Sequence, residues 1–126
     1  MTTLESAPTG LNDSEASLDV SAFNELAEEI GREDTLQTFS IFFDEADNRL
    51  KRLRELSCEV ERPAIAREAH GLKGTSANFG LRRVSALAAA LEQDAHTITS
   101  GNYDAVLRNL ETSYAAARAR FAELIG

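Results

Sequence analysis

At 126 residues the chain is long enough for one domain with a real core and too short for two. Apolar residues make up 43% and charged residues 27%, the balance of a soluble globular protein. A net charge of −8 argues against nucleic acid as a general partner, and the single cysteine, Cys58, excludes an internal disulfide framework. No run approaches the roughly 18 apolar residues of a membrane-spanning helix, so no membrane partner is expected. The start, Met1-Thr-Thr-Leu-Glu, lacks a basic stretch followed by an apolar run. No secretory signal is therefore visible, and a cytoplasmic location is the expectation. Tryptophan is absent, glycine and proline are few, and Ala, Leu, Glu and Arg dominate, which favours an all-α chain.

In chain order, residues 1–18 hold Ser, Thr, Pro, Gly and acids with no base, and read as a disordered leader before a helical domain over 19–126. A short helix is predicted near Val20–Ile30, with Val20, Phe23, Leu26, Ala27 and Ile30 on one side. Asp19 or Ser21 would cap it and Gly31 would end it. Four longer amphipathic segments follow. The first runs from about Asp34 to Ser57, with Leu36, Phe39, Phe43, Ala46, Leu50, Leu53 and Leu56 along its seam. The second opens at Pro63, closes at Gly80 and carries Ile65, Ala69, Leu72, Ser76 and Phe79. The third spans Arg82 to Thr99 through Val84, Leu87, Leu91, Ala95 and Ile98. The last begins after Gly101-Asn102 and uses Tyr103, Leu107, Leu110, Tyr114, Ala117, Phe121 and Leu124. Short breaks make neighbouring helices antiparallel. The predicted architecture is an up-down-up-down four-helix bundle, with the short first helix as a lid on one end.

The most informative stretch is His70-Gly-Leu-Lys-Gly-Thr-Ser-Ala-Asn-Phe-Gly80. His70 follows Ala69, so it is turned about 100° off the apolar seam, towards solvent. Gly71 and Gly74 sit mid-helix, where each costs about 1 kcal/mol relative to alanine. Helical side chains lean towards the N-terminus, so a side chain at position 74 would lie over the His70 ring. Its omission keeps the imidazole open to a large partner. Lys73, three residues on, can reach the space beyond the ring and offers a point cation for a phosphoryl group. It should also favour the neutral, nucleophilic imidazole. Between Arg62 and Arg83 the bases Arg62, Arg67, Lys73, Arg82 and Arg83 face one acid, Glu68, a local excess of four that leaves −12 for the remainder. Such an island suits an acidic or phosphorylated target.

Other chemistries fail on spacing. The histidines His70 and His96 are 26 residues apart, with no His-x-x-x-His or Glu-x-x-His pair to build a metal site. No phosphate-cradling glycine loop is present, so no ATP site is expected. No glycine-flanked serine suggests an acyl-transfer nucleophile.

The run from Ala69 to Gly80 resembles the signature of the histidine-containing phosphotransfer (HPt) domain of bacterial phosphorelays, with about eight positions at fixed spacing. The resemblance covers roughly residues 19–126. It implies that His70 is phosphorylated, that Lys73 is its electrostatic partner, and that Gly74 provides clearance. Glu92, 22 residues after the histidine, takes the place where such domains often carry Gln or Glu hydrogen-bonding near the ring. Gly71 departs from the small polar residue usual there.

The implied function is that of a phosphocarrier rather than an enzyme with its own ATP site. It would take a phosphoryl group from a receiver-domain aspartate, or from a hybrid sensor histidine kinase, and pass it to a response-regulator receiver. No cofactor is expected in this chain, with Mg²⁺ supplied by the receiver. Ala66, Arg67, Gly71, Ala77, Arg82 and Arg83 are the expected docking residues, small or basic around the histidine. A monomer is expected, although a four-helix bundle can also be built across two chains. Two rival readings are a helical adaptor that docks without carrying phosphate and the phosphoacceptor fragment of a chemotaxis-type kinase.

Overall fold

The computed structural model describes residues 17–126, which form five helices and no strand. These are α1 (Ser21–Ile30), α2 (Arg32–Glu55), α3 (Arg62–Asn78), α4 (Arg82–Asp94) and α5 (Ser100–Ile125). Helix α2 touches α3, α3 touches α4, α4 touches α5, and α5 returns to α2, so the bundle closes within one chain. Cross-links give the directions. Tyr103 Oη donates to the Leu53 carbonyl near one end of the α2–α5 pair. Arg32 donates to Ile125 O at the other, and Tyr114 Oη donates to Phe43 O between them at 2.8 Å. Those pairings run opposite ways along the two helices, as short connections require.

The sequence explains the punctuation. Pro63 occupies the first turn of α3, where its missing N–H is not needed. Gly31 (φ 90°) separates α1 from α2, and Gly80 (φ 85°) ends α3 in a conformation costly to any residue with a Cβ. Asp19 Oδ1 accepts from both the N–H and the hydroxyl of Ser21 at the start of α1. Thr99 accepts from Asn102 N–H and caps α5.

The core follows the expected seams, with Phe39 at its centre. Phe39 stacks on Phe121 at 5.2 Å and meets Phe23 and Phe79 edge-on at 5.4 and 4.8 Å. One ring thus ties α1, the end of α3 and α5 to α2. Burying such a ring contributes about 1.5–3 kcal/mol by area, with a further 0.5–1.5 kcal/mol for each good ring pair. Phe23 seats α1 against one end of the bundle, as the lid reading requires.

Four details differ from the sequence reading. Ile30, assigned to the inner side of α1, is 44% exposed because Gly31 turns the chain away there. Helix α4 stops at Asp94 rather than Thr99: Thr97 and Ile98 both donate to Asp94 O, and Arg62 donates to Ala95 O and Ile98 O. Helix α5 starts at Ser100, so Gly101 and Asn102 belong to its first turn. The expected leader falls outside the described residues except for Ser17 and Leu18, which are buried, so packing begins before residue 19.

Candidate functional site

Helix α3 buries Ile65, Ala69, Leu72 and Ser76 against its neighbours. The same register turns position 70 outward, and the His70 side chain is 67% exposed. Helix α4 lies alongside and brings Glu92 opposite the ring. Its carboxylate spans two partners: Oε2 is 2.8 Å from His70 Nδ1, and Oε1 is 2.9 Å from Lys73 Nζ. Ser85 Oγ donates to Lys73 O at 3.0 Å, a second tie between the helices at this level.

The carboxyl of Glu92 is held below the usual carboxylate range, first by the hydrogen bond from Lys73 and then by that from His70, with burial opposing both. An ionised carboxylate can only accept, so the ring nitrogen facing it must carry the proton. In the neutral ring the lone pair then resides on Nε2, which the anchored ring directs away from Glu92. The arrangement supplies an exposed, oriented nitrogen nucleophile with a carboxylate behind it and an ammonium beside it.

Gly74 occupies an exposed position one turn beyond His70. Beyond its own helix backbone, a Cβ built there would meet no atom of the described residues within 4 Å. Packing among the described residues therefore gives no reason for glycine at 74. Gly71 is different. A Cβ there would lie 2.5 Å from Arg49 Cζ, because the Arg49 guanidinium of α2 rests against that bare backbone.

The other sequence-selected residues separate into groups. Arg67 and Ala77 are exposed and Ala66 is half-buried, all sharing the outward side of α3 with His70 and Gly74. Arg82 and Arg83 begin α4, beside the end of α3. Arg82 lies 3.9 Å from Asp19, and Arg83 is half-buried. Arg62 leaves the basic island, since it serves the α4–α5 connection instead. Lys73 is ion-paired to Glu92 rather than free above the ring: without a phosphoryl group, the nearest anion takes it. Sequence reasoning missed Arg49. Its spacing from Ala46 and Leu53 placed it near the buried stripe of α2, but only the packing of α2 on α3 shows what it covers.

A closed helical bundle presenting one oriented, exposed histidine beside a lysine and a bare backbone is the frame of a phosphoacceptor domain. The family model described as "Hpt domain" matches residues 37–120, two thirds of the chain, and the protein belongs to that family. Membership implies a phosphotransfer role in a phosphorelay; domains of this family are phosphocarriers and generally interact with receiver domains and kinases. No curated protein and no solved structure matches the chain. Among the described residues no helix is long and apolar enough to cross a membrane.

Proposed function

We propose that His70 is the phosphorylated residue and that this chain shuttles phosphate between receiver domains. The observation that carries the reading is the ring itself: 67% exposed, held at Nδ1 by Glu92 at 2.8 Å, with the next turn left bare at Gly74. In the forward step the Nε2 lone pair attacks the phosphorus of a receiver's aspartyl phosphate. The N–P bond forms as the aspartyl O–P bond breaks, and the receiver's carboxylate leaves. The Nδ1 proton stays in place, so positive charge develops on the ring, where the Glu92 carboxylate opposes it. Lys73 can exchange Glu92 for the incoming phosphoryl oxygens, leaving Glu92 to the cationic ring. Transfer to a second receiver reverses each bond change. Mg²⁺ belongs to the receiver's acidic pocket and supplies charge neutralisation there. The donor is a receiver domain or a hybrid kinase, and the docking side of α3 is formed by Ala66, Arg67, Gly74 and Ala77. The small residues let the receiver approach, and Arg67 meets its acidic rim. The carrier works in the cytoplasm as a monomer.

Incubation with a phosphorylated receiver tests this. Wild-type protein should gain an acid-labile, base-stable phosphate, and His70→Gln should gain none while keeping its helical circular dichroism. Label persisting on His70→Gln refutes the assignment. Stable complexes without transfer, across a panel of receivers, would leave the adaptor reading instead.

A further inference from the structure

Lys73 and Glu92 neutralise one another in the unphosphorylated site, being 2.9 Å apart. A phosphoryl group brings about −1.5 to −2 charges and three acceptor oxygens. One lysine, even released from Glu92, leaves part of that charge unmatched. Another cation lies close by. The Arg49 guanidinium packs on the backbone of Gly71, the residue next to His70. Adjacent Cα atoms are about 3.8 Å apart, which puts that guanidinium within roughly 8 Å of the His70 backbone.

Three features mark Arg49 as held rather than spent. Its Nη1 pairs with Glu68 Oε1 at 3.0 Å, but the other oxygen of Glu68 is already held by Arg52 Nε at 3.0 Å. Glu68 therefore keeps a partner if Arg49 departs. The contact of Arg49 with Glu45 is 3.5 Å long, and that carboxylate is 50% exposed. Finally, Arg49 Nε is buried with no hydrogen-bond partner among the described residues, a donor that gains from a move towards an acceptor. Gly71 and Gly74 add no side chain of their own on the side of α3 between the guanidinium and the His70 ring.

We propose that Arg49 is a second phosphoryl-binding cation, latched against Gly71 in the unphosphorylated protein and drawn to the phosphoryl oxygens once His70 carries them. The proposal rests on the reading of His70 as phosphoacceptor. It assigns a purpose to Gly71: any Cβ at that position would displace the guanidinium.

Phosphoramidate serves as donor, so no receiver is needed: His70 Nε2 takes its phosphoryl group and ammonia is released. The readout is the titration of the phosphohistidine ³¹P shift with pH, since a cation bound to the phosphoryl group lowers its second ionisation. Arg49→Gln should raise that midpoint by about 0.5 unit at low salt, as expected for losing one charge a few ångströms away in high dielectric. Arg49→Lys should recover part of the shift. Gly71→Ala should raise the midpoint similarly while gaining helix propensity, and its melting temperature, measured alongside, separates this effect from unfolding. Arg108→Gln removes an exposed cation of α5 and should leave the midpoint unchanged. Midpoints equal to wild type in both Arg49→Gln and Gly71→Ala overturn the proposal. So does an equal shift in Arg108→Gln, which would report net charge alone. A shift in Arg49→Gln without one in Gly71→Ala overturns the role of Gly71 as the opening. Absence of phosphohistidine in the wild type sinks the reading of His70 instead, and the two failures are thereby distinct.

Discussion

Gly74→Ala separates folding from function, because the structure gives the two effects opposite signs. Outside the helix's own backbone no described atom lies within 4 Å of an added Cβ, so the substitution meets no clash among the described residues. It replaces a mid-helix glycine by the best helix former, a gain of about 1 kcal/mol. With an unfolding entropy of roughly 2.1 cal/mol/K per residue, a domain of this size should melt about 4 °C higher. Function should move the other way. The new methyl projects into the approach to His70 and holds a docked receiver back by about 1 Å. A displacement of that size in a transfer reaction costs about 10²-fold in rate. A small donor can approach past a methyl, so labelling by phosphoramidate should fall much less. The assays are calorimetry, phosphotransfer from a phosphorylated receiver, and phosphoramidate labelling on the same variant. A lower melting temperature would show that glycine at 74 serves the fold. An unchanged rate from every receiver tested would remove the clearance argument altogether.

Four further outcomes follow from the same geometry. Glu92→Ala removes the acceptor that fixes the ring, and ¹⁵N spectra of His70 should change from one dominant Nδ1–H tautomer to a mixture. In the wild type the Glu92 carboxyl is depressed below 4.5 by Lys73 and then His70, so its contribution to stability is complete above that value and is lost as pH falls through the folded-state titration. Carbon NMR of the Glu92 carboxyl reads this directly. Gly80→Ala should destabilise by about 2 kcal/mol or more, since φ is 85° and the new Cβ would sit 2.5 Å from Asp19 O; a melting temperature equal to wild type would contradict that. The Tyr103 phenol, pushed up to about 12 chiefly by burial, favours the protonated folded state. Its contribution is full below the ordinary value of 10 and disappears as pH rises towards 12, so ultraviolet titration should show tyrosinate forming late and together with alkaline unfolding.

The helices and most of their inner faces were legible in the chain itself. Alternating steps of four and three, Pro63 at a helix start, and Gly31 and Gly80 at helix ends are local signals that need no partner to be read. His70, Lys73, Gly74 and Glu92 were legible too, the first three from their spacing along one helix and Glu92 from the family resemblance. Other features depend on how helices face one another. Phe42 is buried because α2 packs on α3 as well as α5, and its ring stacks on Phe79 at 4.5 Å; a single seam along α2 omits it. Thr35 of α2 and Ala88 of α4 are also buried outside the seams read from the sequence. The early end of α4 was hidden because Arg62, more than 30 residues upstream, satisfies the carbonyls that a longer helix would have used.

Sequence alone therefore determined an all-helical chain with an exposed histidine flanked by missing side chains, since periodicity and glycine placement act within a few residues. Tertiary packing decided the electrostatics. Which nitrogen of His70 Glu92 holds, that Lys73 is shared with that carboxylate, and that Arg49 rests on Gly71 all follow from the rotation and register of one helix against the next. Charges meet across helices at distances of a few ångströms, and neighbours along the chain do not fix those distances.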